Sequence, residues 1–232
     1  MLPLSNASVG GKVWLFYNSA CTIDLVDSSA QMLSISVSAW GNPAKLISAI
    51  YAKCSRVTCR LLWDQLATIA SNSTLPWLVA GDFNVVLAPA EHRRSGPFDS
   101  RSAAEFAEGL EKANLMDADF TGNIFTWCNN QSGQARNWAR LDRACCDSAW
   151  IDLFPIFQVK LLPRLNSDHT PMLFSFPAAS SPSSRSFRFQ RMWLKHASFL
   201  DLIASSWKAD IVGDRLFTLH SKLKNVKSAL RM

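Results

Sequence analysis

Apolar and polar residues alternate along "MLSISVS" (32–38), the period of a strand with one buried face. The runs "KVWLFY" (12–17) and "LISAIYA" (46–52) predict two more strands. The period then changes. Across "RVTCRLLWDQLATIAS" (56–71), Leu61, Leu62, Leu66 and Ile69 recur at helical spacing. Pro76 closes the loop that follows, and the apolar run "WLVA" (77–80) predicts a buried strand. A strand–helix–strand unit of this kind predicts a layered α/β fold.

Residues 88–101, "APAEHRRSGPFDSR", form a polar loop. A helix is predicted from Ser102, with Glu105 three residues on as a capping box, and Phe106, Leu110 and Ala113 on its apolar face. "IFTW" (124–127) and "ARLDRACC" (139–146) predict strands, and "LLPRLNSDHTPMLFSF" (161–176) a polar corner running into another. "PAASSPSSRS" (177–186) is a Pro/Ser-rich linker, and residues 187–232 have a helical, amphipathic pattern.

Composition narrows the class. Of 232 residues, 48% are hydrophobic and 18% charged, enough apolar material for a large core. No apolar run approaches the roughly 20 residues that span a membrane, and "MLPLSNASVGGK" lacks the pattern of a signal peptide. The expectation is a nuclear or cytoplasmic protein that is not secreted. The six cysteines show neither zinc spacing nor a disulfide framework, so they read as reduced, small apolar residues. Charge is uneven. Residues 181–232 hold 10 Lys/Arg and 3 Asp/Glu, whereas residues 1–180 hold 14 and 15. A basic tail beside a neutral body suits either a polyanionic partner or a solvated helical face.

Three polar clusters adjoin predicted strands. Asp82 and Asn84 end "WLVAGDFN", where alternation puts both on one face and turns Phe83 into the core. Asp142 lies in "RLDR". Asn166, Asp168 and His169 lie in "NSDHTP", with Pro171 stiffening the corner. Each alone has an ordinary reading as a turn, a cap or an ion pair. Together they make a hydrolytic set: carboxylate oxygens suited to Mg²⁺, a histidine oriented by a second carboxylate, and an amide able to hold a water or an anionic oxygen. That set suits phosphoester hydrolysis.

"GDFN", "GNIFTW", "RLDR" and "SDHTP" resemble, in order and rough spacing, the motifs of the endonuclease/exonuclease/phosphatase superfamily. "LMDADFTGNIFTW" with "RLDRA" resembles more narrowly the apurinic-endonuclease-like domain of plant non-LTR (LINE-type) retrotransposons. The resemblance covers about residues 10–176. "FRFQRMWLKHASFLDLIASSW" resembles the stretch that joins this endonuclease to a reverse transcriptase. The resemblance implies a four-layer α/β sandwich with a C-terminal helical appendage, DNA as substrate, Mg²⁺ or Mn²⁺ as cofactor, and a reverse transcriptase domain as partner in a full-length element. It implies that Asp82 activates the attacking water, that Asn84 sits beside it on the phosphate, and that His169, oriented by Asp142, stabilises charge. It also implies Asp168 at the metal, Tyr51 near the phosphate, and Trp127 and Arg143 at the nucleic-acid face.

The family's fold opens with a strand carrying a catalytic Asn and a second ending in a metal-binding Glu. The resemblance implies that this chain starts after both. Its four Glu residues, Glu91, Glu105, Glu108 and Glu111, all follow "GDFN". The expectation is an N-terminally truncated domain, missing its first strands and impaired as a Mg²⁺-dependent endonuclease. Two further readings stay open: a non-catalytic remnant that at most binds nucleic acid through the basic tail, and a superfamily phosphatase acting on inositol phosphates or lipids.

Overall fold

In the computed structural model, residues 4–39, 43–93, 96–176, 194, 198–208, 211 and 215–230 are described. The chain divides into two compact units, Met1–Ser180 and Ser181–Met232. The first opens with a hairpin of β1 (Leu4–Ala7) and β2 (Trp14–Tyr17). Then come β3 (Cys21–Ser28), β4 (Met32–Ala39), β5 (Lys45–Tyr51), helix α1 (Arg56–Asn72) and β6 (Trp77–Asp82). A two-residue strand β7 (His92–Arg93) precedes helix α2 (Ser100–Lys112). Short strands follow: β8 (Met116–Asp117), β9 (Phe120–Thr121), β10 (Trp127–Cys128) and β11 (Trp138–Ala139). The unit ends with β12 (Asp142–Cys146), α3 (Ser148–Leu153), β13 (Gln158–Leu161) and β14 (Met172–Ser175). In the second unit, α4 (Phe199–Trp207) and α5 (Arg215–Ala229) are helical, as the pattern predicts.

The main sheet has the order β3-β4-β5-β6-β12-β8. β5 and β6 are parallel and joined through α1, while β12 runs antiparallel to β6. Helices cover one face. Leu62, Trp63 and Leu66 of α1 pack with Phe83, Phe106, Val79 and Leu110. Leu62 and Leu66 are fully buried, each stabilising the fold by about 2 kcal/mol. The opposite face carries Leu78, Ala144 and Cys146 against Trp150, Phe157 and Val159, next to a second sheet of order β14-β13-β9. "WLVA" lacks alternation because its strand is covered on both faces. None of the six cysteines is bridged.

Several elements differ from expectation. Helix α2 begins at Ser100, and Asp99 is its N-cap, accepting the backbone N–H groups of Arg101 and Ser102. The Ser102 hydroxyl donates to the same carboxylate. Glu105 does not close a capping box; it pairs with Arg56 and Arg60 and ties α2 to α1. "ARLDRACC" is two strands. β11 pairs with β10 and β7, β12 pairs with β6 and β8, and the chain changes sheets at Arg140 and Leu141. Of "IFTW" only Trp127 is in a strand. β3, "CTIDLVDS", has an outward side too mixed in polarity for its period to show. The Pro/Ser-rich linker lies outside the described residues.

Candidate active site

Gly81 lets the end of "WLVA" pass close to the neighbouring strand before Asp82. Its φ is +141°, and a β-carbon there would collide with the Ile50 carbonyl of the neighbouring strand. Asp82 is the last residue of β6, flanked in register by Tyr51 on β5 and Asp142 on β12. Three candidate side chains therefore share one row across three strands. Phe83 leaves the row for the core and is fully buried.

Asn84 does not continue the strand. Its backbone is left-handed, at φ +52°, a conformation that asparagine tolerates better than most residues. Its N–H donates to Asp82 Oδ1 at 2.9 Å, and its amide nitrogen donates to Asp82 Oδ2 at 3.0 Å and to the Ala52 carbonyl at 2.7 Å. The two side chains meet through this turn rather than through strand alternation, and both amide hydrogens of Asn84 are engaged within the protein.

His169 reaches the row from the other side. Its corner is zipped onto the segment containing β10. Trp127 and His169 form a β-bridge, Thr170 donates to the Thr126 carbonyl at 2.7 Å, and Cys128 donates to the Asp168 carbonyl at 2.9 Å. This places His169 Nδ1 2.9 Å from Asp142 Oδ2 and Nε2 4.0 Å from Asp82 Oδ2. Thr126, which sequence reasoning left unassigned, is fully buried beneath this pair. Its hydroxyl oxygen accepts the N–H groups of Leu141 and Asp142 at 3.0 and 2.9 Å. The visible signal was a single hydroxyl in an otherwise apolar "IFTW".

The electrostatics single out Asp82 and His169. Burial pushes the Asp82 carboxyl up to about 6, against the pull of the Asn84 N–H, and the nearby Asp142 raises it further. The hydrogen bond to Asp142 raises the pKa of His169 above its ordinary value. With Nδ1–H donated to Asp142, Nε2 faces Asp82. One ligand atom from each of Asp82, Asp142 and His169 lies within 4.8 Å of the others. Asp168 is outside this group: its carboxylate accepts the indole N–H of Trp127 at 3.1 Å. Tyr51 is 39% exposed beside Asp82.

Arg143 is not at a surface, and the expectation that it meets nucleic acid is corrected here. It is 1% exposed and paired with Glu91 and with Asp117. Arg140 makes two 2.9 Å bonds to Asp117 and a 3.1 Å bond to Glu91. Glu91 also accepts the Leu87 N–H at 2.6 Å, so the network binds the loop after Asp82 to the strand carrying Asp142. Other cations stand outward near the His169 corner. Arg93 lies over the Phe125 ring at 5.1 Å, while Arg164 and Arg136 lie over Trp138 at 4.9 and 5.9 Å. Arg164 also donates to the Asp168 carbonyl at 3.2 Å.

No protein-family profile and no curated protein sequence matches the chain. Solved structures do. The endonuclease domain of TRAS1, a telomere-specific non-LTR retrotransposon, superposes with a TM-score of 0.60 at 13% identity, over 75% of this chain and 78% of that one. The 3′ phosphatase NExo from Neisseria, bound to a product DNA hairpin, gives 0.48 at 15% identity, over 68% and 71%. An endonuclease/exonuclease/phosphatase family protein of Bacteroides thetaiotaomicron gives 0.46 at 15% identity, over 73% and 72%. Among the described residues, no helix is long and apolar enough to cross a membrane. Layered sheets, covering helices and the superposition on the TRAS1 endonuclease domain together show that this chain has the endonuclease/exonuclease/phosphatase fold.

Proposed function

We propose that the chain is a divalent-metal-dependent phosphodiesterase acting on DNA, an endonuclease of the retrotransposon type. The observation that carries this reading is the line Asp142–His169–Asp82, an imidazole held by one carboxylate and aimed at another. The fold shared with a retrotransposon endonuclease supports it. So do Arg93, Arg136 and Arg164, which offer cations for phosphate contacts.

In this reading Asp82, as the carboxylate, takes a proton from water as the water oxygen bonds to phosphorus and the bond to the leaving oxygen breaks. Asn84 fixes Asp82 rather than the phosphate, since its amide hydrogens are already used. Asp142 orients His169 and favours its protonated form, in which the imidazolium stabilises the charge that develops on the phosphate oxygens. Tyr51 adds a hydroxyl at the edge of the same row. Asp82 and Asp142 would supply carboxylate oxygens to a hard cation such as Mg²⁺ or Mn²⁺. When bound, such an ion neutralises phosphate charge. The test is nicking of supercoiled plasmid by the purified chain. Nicking should require Mg²⁺ or Mn²⁺, stop with chelator, and disappear in His169→Ala. Metal-dependent nicking that survives His169→Ala sinks the assignment.

A second reading is binding without cleavage, favoured by the basic excess of residues 181–232. It predicts salt-sensitive, sequence-blind binding that is lost on deleting that segment. A reverse transcriptase domain elsewhere in a full-length element is the partner expected under either reading.

A further inference from the structure

Trp14 and Phe16 stand two apart on β2, on one side of the hairpin, and are 59% and 62% exposed. Their rings stack at 6.3 Å between centroids, with 13° between planes. Large exposed aromatic surfaces carry a solvation cost that a ligand relieves. These rings are also pre-set. The Trp14 indole N–H donates to the Gly11 carbonyl at 2.8 Å, and the turn is closed by Ser8, whose N–H donates to the Val13 carbonyl at 2.9 Å. Val9 fastens the hairpin to β3 through the Ser28 hydroxyl at 3.1 Å.

The platform leads to the reaction cluster. Two residues before Trp14, Lys12 places its ammonium 5.5 Å from the centre of the Tyr51 ring. Tyr51 is the register partner of Asp82, which stands 4.0 Å from His169. Lys12 therefore ties the hairpin that carries the stacked rings to Tyr51 and, through the strand register, to the Asp82–His169 pair. Rings that receive bases beside a cation that receives phosphate are the two components of single-strand recognition. Duplex bases hide their faces in the stack, so the ligand class is unpaired nucleotides. We propose that Trp14 and Phe16 form a stacking platform for unpaired bases of the nucleic acid cleaved at Asp82, Asp142 and His169. The proposal rests on the phosphodiesterase reading for its second half only.

The test measures binding in chelator, where no turnover occurs, by fluorescence anisotropy of labelled oligonucleotides. The probes are a short single strand, as DNA and as RNA, and a blunt DNA duplex. Trp14→Ala/Phe16→Ala should weaken single-strand binding about tenfold or more, on the DNA or the RNA probe, and leave the blunt duplex within about twofold. Trp14→Phe should retain most of the affinity, because stacking needs a ring rather than an indole. Circular dichroism of the double variant should match wild type, since both side chains face solvent. No single-strand binding by wild type, or an unchanged affinity in the folded double variant, overturns the platform. A dimeric wild type made monomeric by the double variant also overturns it, because the rings would then be an interface between copies. Plasmid nicking is scored separately: a ring-dependent binder that never nicks keeps the platform and removes the nuclease.

Discussion

His169 and Asp142 meet at 2.9 Å although one comes from a loop corner and the other from the first position of a central strand. Nothing between them in sequence brings them together; the β-bridge between Trp127 and His169 does, with the Thr126 hydroxyl holding the Asp142 backbone from the same segment.

If that hydrogen bond is what raises the His169 pKa, Asp142→Asn should lower it. NMR titration of the metal-free chain should find the wild-type His169 pKa above the ordinary value of about 6.5 and the variant's below the wild type's. Protonated His169 is favoured in the folded state, so its contribution to stability is complete below about pH 6.5 and is lost as pH rises through the higher native value. Wild type should therefore lose its stability margin over Asp142→Asn as pH climbs through that window. An unchanged His169 titration in the variant would mean that the contact does not set its protonation.

Thr126→Val keeps the shape and removes the acceptor for the half-buried Leu141 N–H and the buried Asp142 N–H. Each unsatisfied donor costs about 1–3 kcal/mol, so urea unfolding should show a loss of that order. Thr126→Ser should restore most of it. Nicking at temperatures where the variant is folded should fall as well, because the strand entry carrying Asp142 loosens. Equal stability of the Val and Ser variants would show that the hydroxyl is not holding the turn.

Arg143→Ala should destabilise the protein by up to about 3–5 kcal/mol, since it removes the fully buried partner of Glu91 and Asp117 and leaves Arg140 alone to pair with both acids. The loss should resist added salt. Were Arg143 a DNA contact, the variant would fold normally and shift the salt dependence of binding instead.

That contrast shows where sequence reading succeeds and where it stops. Period and motif order place the strands around Asp82, the α1 crossover and the α/β class, because local burial writes itself into spacing. Asp82, Asp142 and His169 are legible as candidates because their clusters together make one hydrolytic set, although each alone reads as a turn, a cap or an ion pair. The two arginines of "RLDR" are not separable from surface arginines by pattern. Their partners, Glu91 and Asp117, lie 49 and 52 or 23 and 26 residues away. Asp99, not Ser102, caps α2 because two adjacent capping residues compete and Glu105 is claimed by α1. The joining of Asp82 to Asn84 is legible, but its reason is not: a left-handed residue breaks the alternation on which the expectation rested.

Asp82 itself should be a cost to the fold. Burial leaves it 7% exposed and lifts its pKa to about 6, above the roughly 3.9 of an unfolded aspartate. The native state therefore binds this proton more tightly than the unfolded state does. The sign is fixed by that difference: the penalty is fully present above about pH 6, shrinks as the native carboxyl takes up its proton, and vanishes below about pH 4. A gap of about two units is worth about 2–3 kcal/mol. Asp82→Asn has nearly the same shape and no charge; its side-chain oxygen accepts the Asn84 N–H, while the bond from the Asn84 amide, worth about 1 kcal/mol, is lost and offsets part of the gain. In the metal-free chain it should unfold at higher urea than wild type at pH 7.5, with the difference closing as pH falls through about 6 to 4. The same variant should not nick DNA, since an amide takes no proton from water. Greater stability with lost activity is what a buried carboxylate kept for chemistry predicts; a less stable Asn variant at pH 7.5 would mean that the charge is compensated in the fold and that its burial is structural.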